Sequence, residues 1–137
     1  MLIVACTGSS QYIDVAVGNQ SSVVVMSVFG WIIVMQRMGW HDWNKSWAVY
    51  KAGFGNAKGT EFWFGLERLH LLTTSASYRL LIEVQLVSDG RWYMAQYDSI
   101  VIGDEINDRY RLNVDVARFV NHFWAHVYLG FQASANS

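Results

Sequence analysis

The protein has 137 residues and a formal net charge of −1, with 10 Lys/Arg against 11 Asp/Glu. Such a balance, with the basic residues scattered, excludes a surface built mainly for nucleic acid or an anionic membrane. Hydrophobic residues at 53% and aromatics at 15% exclude disorder over most of the length and suffice to bury a core in a chain of one domain's size.

There is a single cysteine, Cys6, so no disulfide can form within the molecule. Alone, that suggests a reducing compartment. Nothing around Cys6 lowers its pKa. It reads as a residue of a frayed terminus, the alternative being a bridge between two copies. Residues 1–5 are apolar but lack the basic flank and the length of a signal peptide. Residues 23–35 are apolar except for Ser27 and Gly30 and fall short of the roughly 18 residues of a membrane span. Their β-branched content predicts one or two buried strands instead.

In chain order, residues 12–17 alternate loosely and predict a strand. Gly18-Asn19 predicts a turn and residues 23–28 a second strand. Trp31–Arg37 predicts a strand buried on both faces, because its first five residues are continuously apolar. Residues 38–41 read as a loop. Asp42 stands where a helix N-cap would accept an early backbone N–H. Trp43, Trp47 and Tyr50 would then share one helical face, and Gly53 would end the helix. Gly53, Gly55 and Gly59 lie among Tyr50, Phe54, Phe62 and Trp63, which predicts a junction where rings pack on bare main chain.

Residues 62–72 predict a second helix, with Leu66, Leu69 and Leu72 as its buried stripe and Glu67 and Arg68 outward. Residues 73–77 read as a polar loop. Residues 78–87 alternate as a half-buried strand. Asp89-Gly90 predicts a hairpin returning through residues 92–101. Residues 103–109 turn the backbone into a last strand at 110–114. The fold class is α+β, an antiparallel sheet with short helices packed on it.

Several ordered motifs resemble one family. Trp47-x-x-Tyr50-Lys51-x-Gly53-Phe54-Gly55-Asn56, then Glu61-Phe62-Trp63-x-Gly65 and Leu69-His70-Leu71-Leu72-Thr73, resemble the C-terminal domain of fibrinogen-related proteins. Tyr97-Asp98-Ser99-Ile100-Val101-Ile102-Gly103-Asp104-Glu105 and Tyr110-Arg111-Leu112-Asn113-Val114 resemble it in the same order. Gly30-Trp31 and Gln36-Arg37 resemble an upstream strand of that family. The resemblance implies a single, incomplete fibrinogen C-terminal-like domain over 1–137. Residues 1–29 would form a divergent N-terminal subdomain, 30–114 the central one and 115–137 a divergent tail. The family's later calcium- and ligand-binding motifs do not follow Asp115. Residues 21–27 hold no cysteine where the family's first disulfide would end.

The resemblance further implies an extracellular, secreted recognition module. In the ficolin and tachylectin branches it is lectin-like, for acetylated glycans or microbial surfaces in innate immunity. In the angiopoietin-like and tenascin branches the partner is a receptor or matrix protein. A product that has lost the ligand site is a further reading. A missing subdomain would expose apolar surface and let copies associate as a homo-oligomer. No cofactor is implied.

Residue constellations add little chemistry. His122 and His126 have the spacing of zinc ligands on a helix, but no third ligand follows, and an aromatic packing segment is the better reading. Asp104, Glu105 and Asp108 form an acidic cluster that reads as a solvated turn and not as a calcium loop. Asp98, Ser99 and His70 lack the glycine-flanked elbow of a nucleophilic serine, and Asp98 reads as a group satisfying backbone donors near a strand end. No nucleophile–base pair is visible, so the protein is read as not an enzyme. Trp31, Trp43, Trp47 and Trp63 read as core, with Trp40 as the exposed exception. Asn19-Gln-Ser21 and Asn44-Lys-Ser46 are N-glycosylation sequons if the protein is secreted.

Overall fold

The computed structural model describes residues 10–19, 21–38, 42–115, 117–119 and 127–133. Cys6, Trp40, His122 and His126 lie outside them. The strands are β1 (Ser10–Val17), β2 (Ser21–Val28), β3 (Trp31–Arg37), β4 (Phe54–Gly55), β5 (Glu61–Trp63), β6 (Tyr78–Gln85), β7 (Trp92–Ile102), β8 (Leu112–Val114), β9 (Ala117–Phe119) and β10 (Val127–Ala133). The helices are α1 (Trp47–Ala52), α2 (Leu66–Ser75) and the single turn α3 (Glu105–Asp108). Every strand pairing among the described residues is antiparallel. The order across the sheet is β1-β2-β3-β10-β6-β7-β8.

The apolar run over 23–35 forms strands, β2 and β3, turned at Phe29 and Gly30, both of positive φ. Ile33 and Val34 are neighbours on β3 and both are buried, as a strand covered on both faces requires. The hairpin at Asp89-Gly90 joins β6 to β7, with Asp89 Oδ1 accepting the Arg91 N–H at 2.9 Å. Val15, Val25, Val34, Phe62, Phe64, Leu69, Leu72, Leu80 and Ile100 build the core, on which α2 packs.

Strand β10 is a central strand drawn from beyond the region that resembles the family. It pairs with β3 from Val127↔Arg37 to Phe131↔Ile32, and with β6 from Tyr128↔Glu83 to Ala133↔Tyr78. Among the described residues β3 and β6 do not pair with each other, so β10 is the hydrogen-bonded link between the two halves of the sheet.

Several expectations are corrected. Asp42 does not cap α1: its Oδ1 accepts the Asn44 N–H at 2.7 Å in a local turn, and the helix starts after Ser46. Trp43 therefore lies outside the helix and shares no helical face with Trp47 and Tyr50. Trp47 is not core but 54% exposed. Residues 61–63 are strand β5, because Phe62 is needed between β3 and the core. The second helix starts at Leu66 and runs on to Ser75, so residues 73–75 are helix and not loop. Thr73 is buried there, its hydroxyl donating to Leu69 O at 2.8 Å. Glu67 and Arg68 are half-buried and not outward, each making a hydrogen bond. Strand β8 begins at Leu112, because Arg109 and Tyr110 adopt φ of 51° and 55° to leave α3. Asp98 lies within β7, away from either end.

Candidate functional site: an aromatic groove beside the β4–β5 hairpin

Glycines let α1, the β4–β5 hairpin and α2 close on one another. A Cβ on Gly53 would stand 2.6 Å from Phe64 O, and one on Gly65 would stand 2.8 Å from Gly53 N. Only bare backbone fits at both contacts. The rings then gather on the hairpin. Tyr50 meets Phe54 edge-on at 5.3 Å, and Trp43 meets the same ring edge-on at 5.0 Å.

A relay of hydrogen bonds fixes these rings. The Trp63 indole donates to Tyr50 O at 2.8 Å, and the Tyr50 hydroxyl donates to Trp43 O at 2.7 Å. The Trp43 indole donates to Glu61 Oε2 at 2.5 Å, while Glu61 Oε1 accepts the Met38 N–H at 3.3 Å. The Arg37 guanidinium lies over the Trp43 ring, 5.6 Å from its centroid. Trp43 and Phe54 together form the aromatic part of a surface groove of about 300 Å³, with Asp42, Lys45, Thr60 and Glu61 completing its lining. A fixed aromatic wall edged by both signs of charge and a hydroxyl suits recognition of a polar segment with an apolar side group.

The acidic cluster has structural partners. Asp104 caps α3, its Oδ1 accepting the Asn107 N–H at 2.7 Å, and that bond with the Asn107 side chain holds its carboxyl below the usual range. Glu105 pairs with Lys51 and accepts the Trp47 indole N–H at 3.0 Å, which holds its carboxyl low. Tyr110 packs against Trp47 with the rings tilted and their centroids 6.0 Å apart, and donates its hydroxyl to Glu67. Burial first and Glu67 second push that hydroxyl's pKa far above the usual tyrosine value. These bonds tie α1, α2 and α3 together. Among the described residues no group of three His, Cys, Asp or Glu is placed to hold a metal ion.

Asp98 and Ser99 are consecutive on β7 and form no triad with His70, whose ring faces a backbone carbonyl. His70 Nδ1 stands 2.8 Å from Ile102 O, a structural bond, and Ser99 contributes its carbonyl to Asp115 N at 3.4 Å. Trp31 and Trp63 are half-buried, with the Arg79 guanidinium 5.4 Å from the Trp31 ring centroid. Asn19 is exposed in the β1–β2 turn, and Asn44 is exposed at the lip of the groove, between Trp43 and Lys45. Sequence reasoning missed Glu61 as the acceptor that fixes Trp43, because the two are 18 residues apart with a hairpin between them. No helix among the described residues is long and apolar enough to cross a membrane.

Residues 22–121 match the family described as the fibrinogen beta and gamma chains, C-terminal globular domain. The protein is 40% identical over 87 residues to tenascin of Gallus gallus, covering 63% of its own length and 5% of tenascin. It is 43% identical over 86 residues to protein scabrous of Drosophila melanogaster, covering 62% of its own length and 10% of scabrous. The fibrinogen-like globe domain of human ANGPTL6 superposes with a TM-score of 0.70 at 29% identity, covering 83% of this protein and 52% of that one. A lamprey fibrin D-dimer, complexed with the peptide ligand Gly-His-Arg-Pro-amide, superposes with a TM-score of 0.62 at 27% identity, covering 72% of this protein and 33% of that one. The protein thus spans about half the length of the solved globe domain and a small part of tenascin and scabrous. Because the match covers most of its length, it belongs to the family of the fibrinogen beta and gamma chains' globular domain at the C-terminus.

Proposed function

We propose that the protein is an extracellular recognition module that binds a segment of a partner protein in the groove lined by Trp43 and Phe54. The observation that carries the reading is the hydrogen-bond relay Trp63–Tyr50–Trp43–Glu61, which fixes an aromatic wall before any ligand arrives. Rigid aromatic side chains lose little entropy on binding and, with arginine, dominate protein interfaces. Tenascin, scabrous and the angiopoietin-like globes among its relatives, and the peptide held by the lamprey fibrin neighbour, support a protein ligand and an extracellular setting. The module does no chemistry and uses no cofactor.

The second reading is a lectin-like site for acetylated glycans. An aromatic ring flanked by the carboxylates of Asp42 and Glu61 is also the chemistry of sugar stacking, which favours it. The test is a random peptide library displayed against the immobilised protein, beside an acetylated-sugar resin. The protein-ligand reading expects selected peptides that lose about tenfold in affinity on Trp43→Ala, the loss of one aromatic anchor. Retention on the resin, reversed by free N-acetylglucosamine, with no peptide sensitive to Trp43→Ala, would favour the glycan.

We propose that residues 1–137 belong to one domain, with 1–29, 30–114 and 115–137 as its parts. Asn19 and Asn44 are its N-glycan acceptors on secretion. Ser46 supports Asn44 as an acceptor, since its hydroxyl is not engaged in capping α1. A secreted sample losing one glycan mass with Asn44→Gln, and one with Asn19→Gln, tests this. Leu112 and Val114 pair with Ile102 and Ile100 on β7 yet are 52% and 38% exposed, a surface through which copies associate. Sedimentation of a clean monomer at high concentration would contradict that.

A further inference from the structure

A second groove, of about 320 Å³, shares Phe54 with the first and is bounded by β2, the β4–β5 hairpin and the first turn of α2. Val23, Val24, Phe54 and Trp63 give it apolar walls, and Asn56 and Arg68 supply its polar groups. Val24 stands 44% exposed on the rim. Arg68 is the one charged side chain of the lining. It is half-buried, and its guanidinium donates through Nη1 to Phe64 O at 3.2 Å. Among the described residues no carboxylate forms an ion pair with it. The half-buried cation of α1, Lys51, is by contrast paired with Glu105.

A guanidinium offers five donors in a fork that matches a carboxylate, and one bond to a carbonyl leaves most of the fork unused. A half-buried cation in a groove lined by both polar groups and apolar side chains attracts an anion that brings an apolar group with it. We propose that this groove is a second binding site, separate from the Trp43 groove, for a protein segment presenting a carboxylate beside an aliphatic or aromatic side chain. The carboxylate pairs with Arg68 and the apolar group lies against Val24, Phe54 and Trp63. Charge complementarity selects this occupant: the lining has a positive charge and no negative one.

The test titrates the 137-residue protein with N-acetyl-L-leucine, and separately with its uncharged amide, N-acetyl-L-leucinamide. The readout is the ¹H–¹⁵N spectrum. The acid is expected to shift the Trp63 indole and Gly55 amide signals at about tenfold lower concentration than the amide, the share of one charge-assisted pair. Arg68→Gln is expected to abolish the difference, and Arg68→Lys to keep part of it. The Lys45 and Thr60 amides, which line only the Trp43 groove, stay put, so a failure here leaves the Trp43 groove reading standing. Because Arg68 also holds Phe64 O, a second variant is made on the rim. Val24→Glu adds a carboxylate to the lining that holds Arg68 and is expected to block the acid without lowering the melting temperature. Equal response to acid and amide, or a difference that survives Arg68→Gln or Val24→Glu, overturns the proposal.

Discussion

The hydroxyl of Thr73 accepts the backbone N–H of Ile102 at 3.0 Å, where α2 meets the end of β7. The same hydroxyl donates to Leu69 O, and His70 Nδ1 meets the Ile102 carbonyl at 2.8 Å. Helix α2 is thus fastened to the sheet by polar bonds inside an apolar core. Thr73→Val keeps the shape and removes the acceptor, leaving a buried N–H unmet. We expect a loss of about 1–3 kcal/mol in denaturant unfolding. Thr73→Ser should retain most of that stability, and equal losses for the two variants would contradict the assignment.

Gly53→Ala is predicted to cost more. At φ 91° the residue is in a region that L side chains avoid, and a Cβ would meet Phe64 O and Trp63 O. Both obstacles are main chain and cannot rotate away. A loss above about 2 kcal/mol is expected. Gly59→Ala is the milder comparison, since Gly59 is not in that backbone region and its Cβ would approach Asn56 O at 3.3 Å, a contact relieved by a shift of a few tenths of an ångström. A chemical denaturation series reads both.

Much of this junction was legible in the sequence, because a glycine among aromatic residues states its geometry locally. The hairpin at Asp89-Gly90 and the buried strand Trp31–Arg37 were legible for the same reason: turn chemistry and apolar runs act over a few residues. Helix starts were less legible. Asp42 has the right side chain for a cap, but Asn44 claims it two residues on. Phe62 fits a helical stripe by spacing, yet pairing with Gln36 on β3 overrides that pattern. The groove could not be read at all, since Trp43 meets Glu61 and Val24 joins Arg68 only through the fold.

The tail strand gives a third prediction. Leu129 pairs with Met35 on one side and Ile82 on the other. Proline there removes a donor from a central strand, where it is not tolerated. Leu129→Pro should abolish the cooperative melt and raise hydrogen exchange along β3 and β6 together. A variant that still melts at the parent temperature would show that β10 does not join the halves.

Acid stability depends on Glu105. Lys51 first, and the Trp47 indole second, hold its carboxyl below the ordinary value of 4.5. As pH falls, the unfolded state then binds a proton before the folded state does. The stabilisation is complete above the ordinary value and is lost as pH falls through the lower, folded one. Glu105→Gln should therefore lower the melting temperature at neutral pH and flatten its decline as pH falls below the ordinary value of 4.5. An unchanged slope would mean that the pair with Lys51 contributes nothing.

The most direct measurement of recognition at the Trp43 groove follows the Trp43 indole N–H while a library-selected peptide is titrated into the folded protein. This signal is expected to move together with the Lys45 and Thr60 amides, which share the groove, while the Asn113 amide on β8 does not. Saturable binding that leaves Trp43, Lys45 and Thr60 unmoved would contradict it and place recognition elsewhere on the molecule.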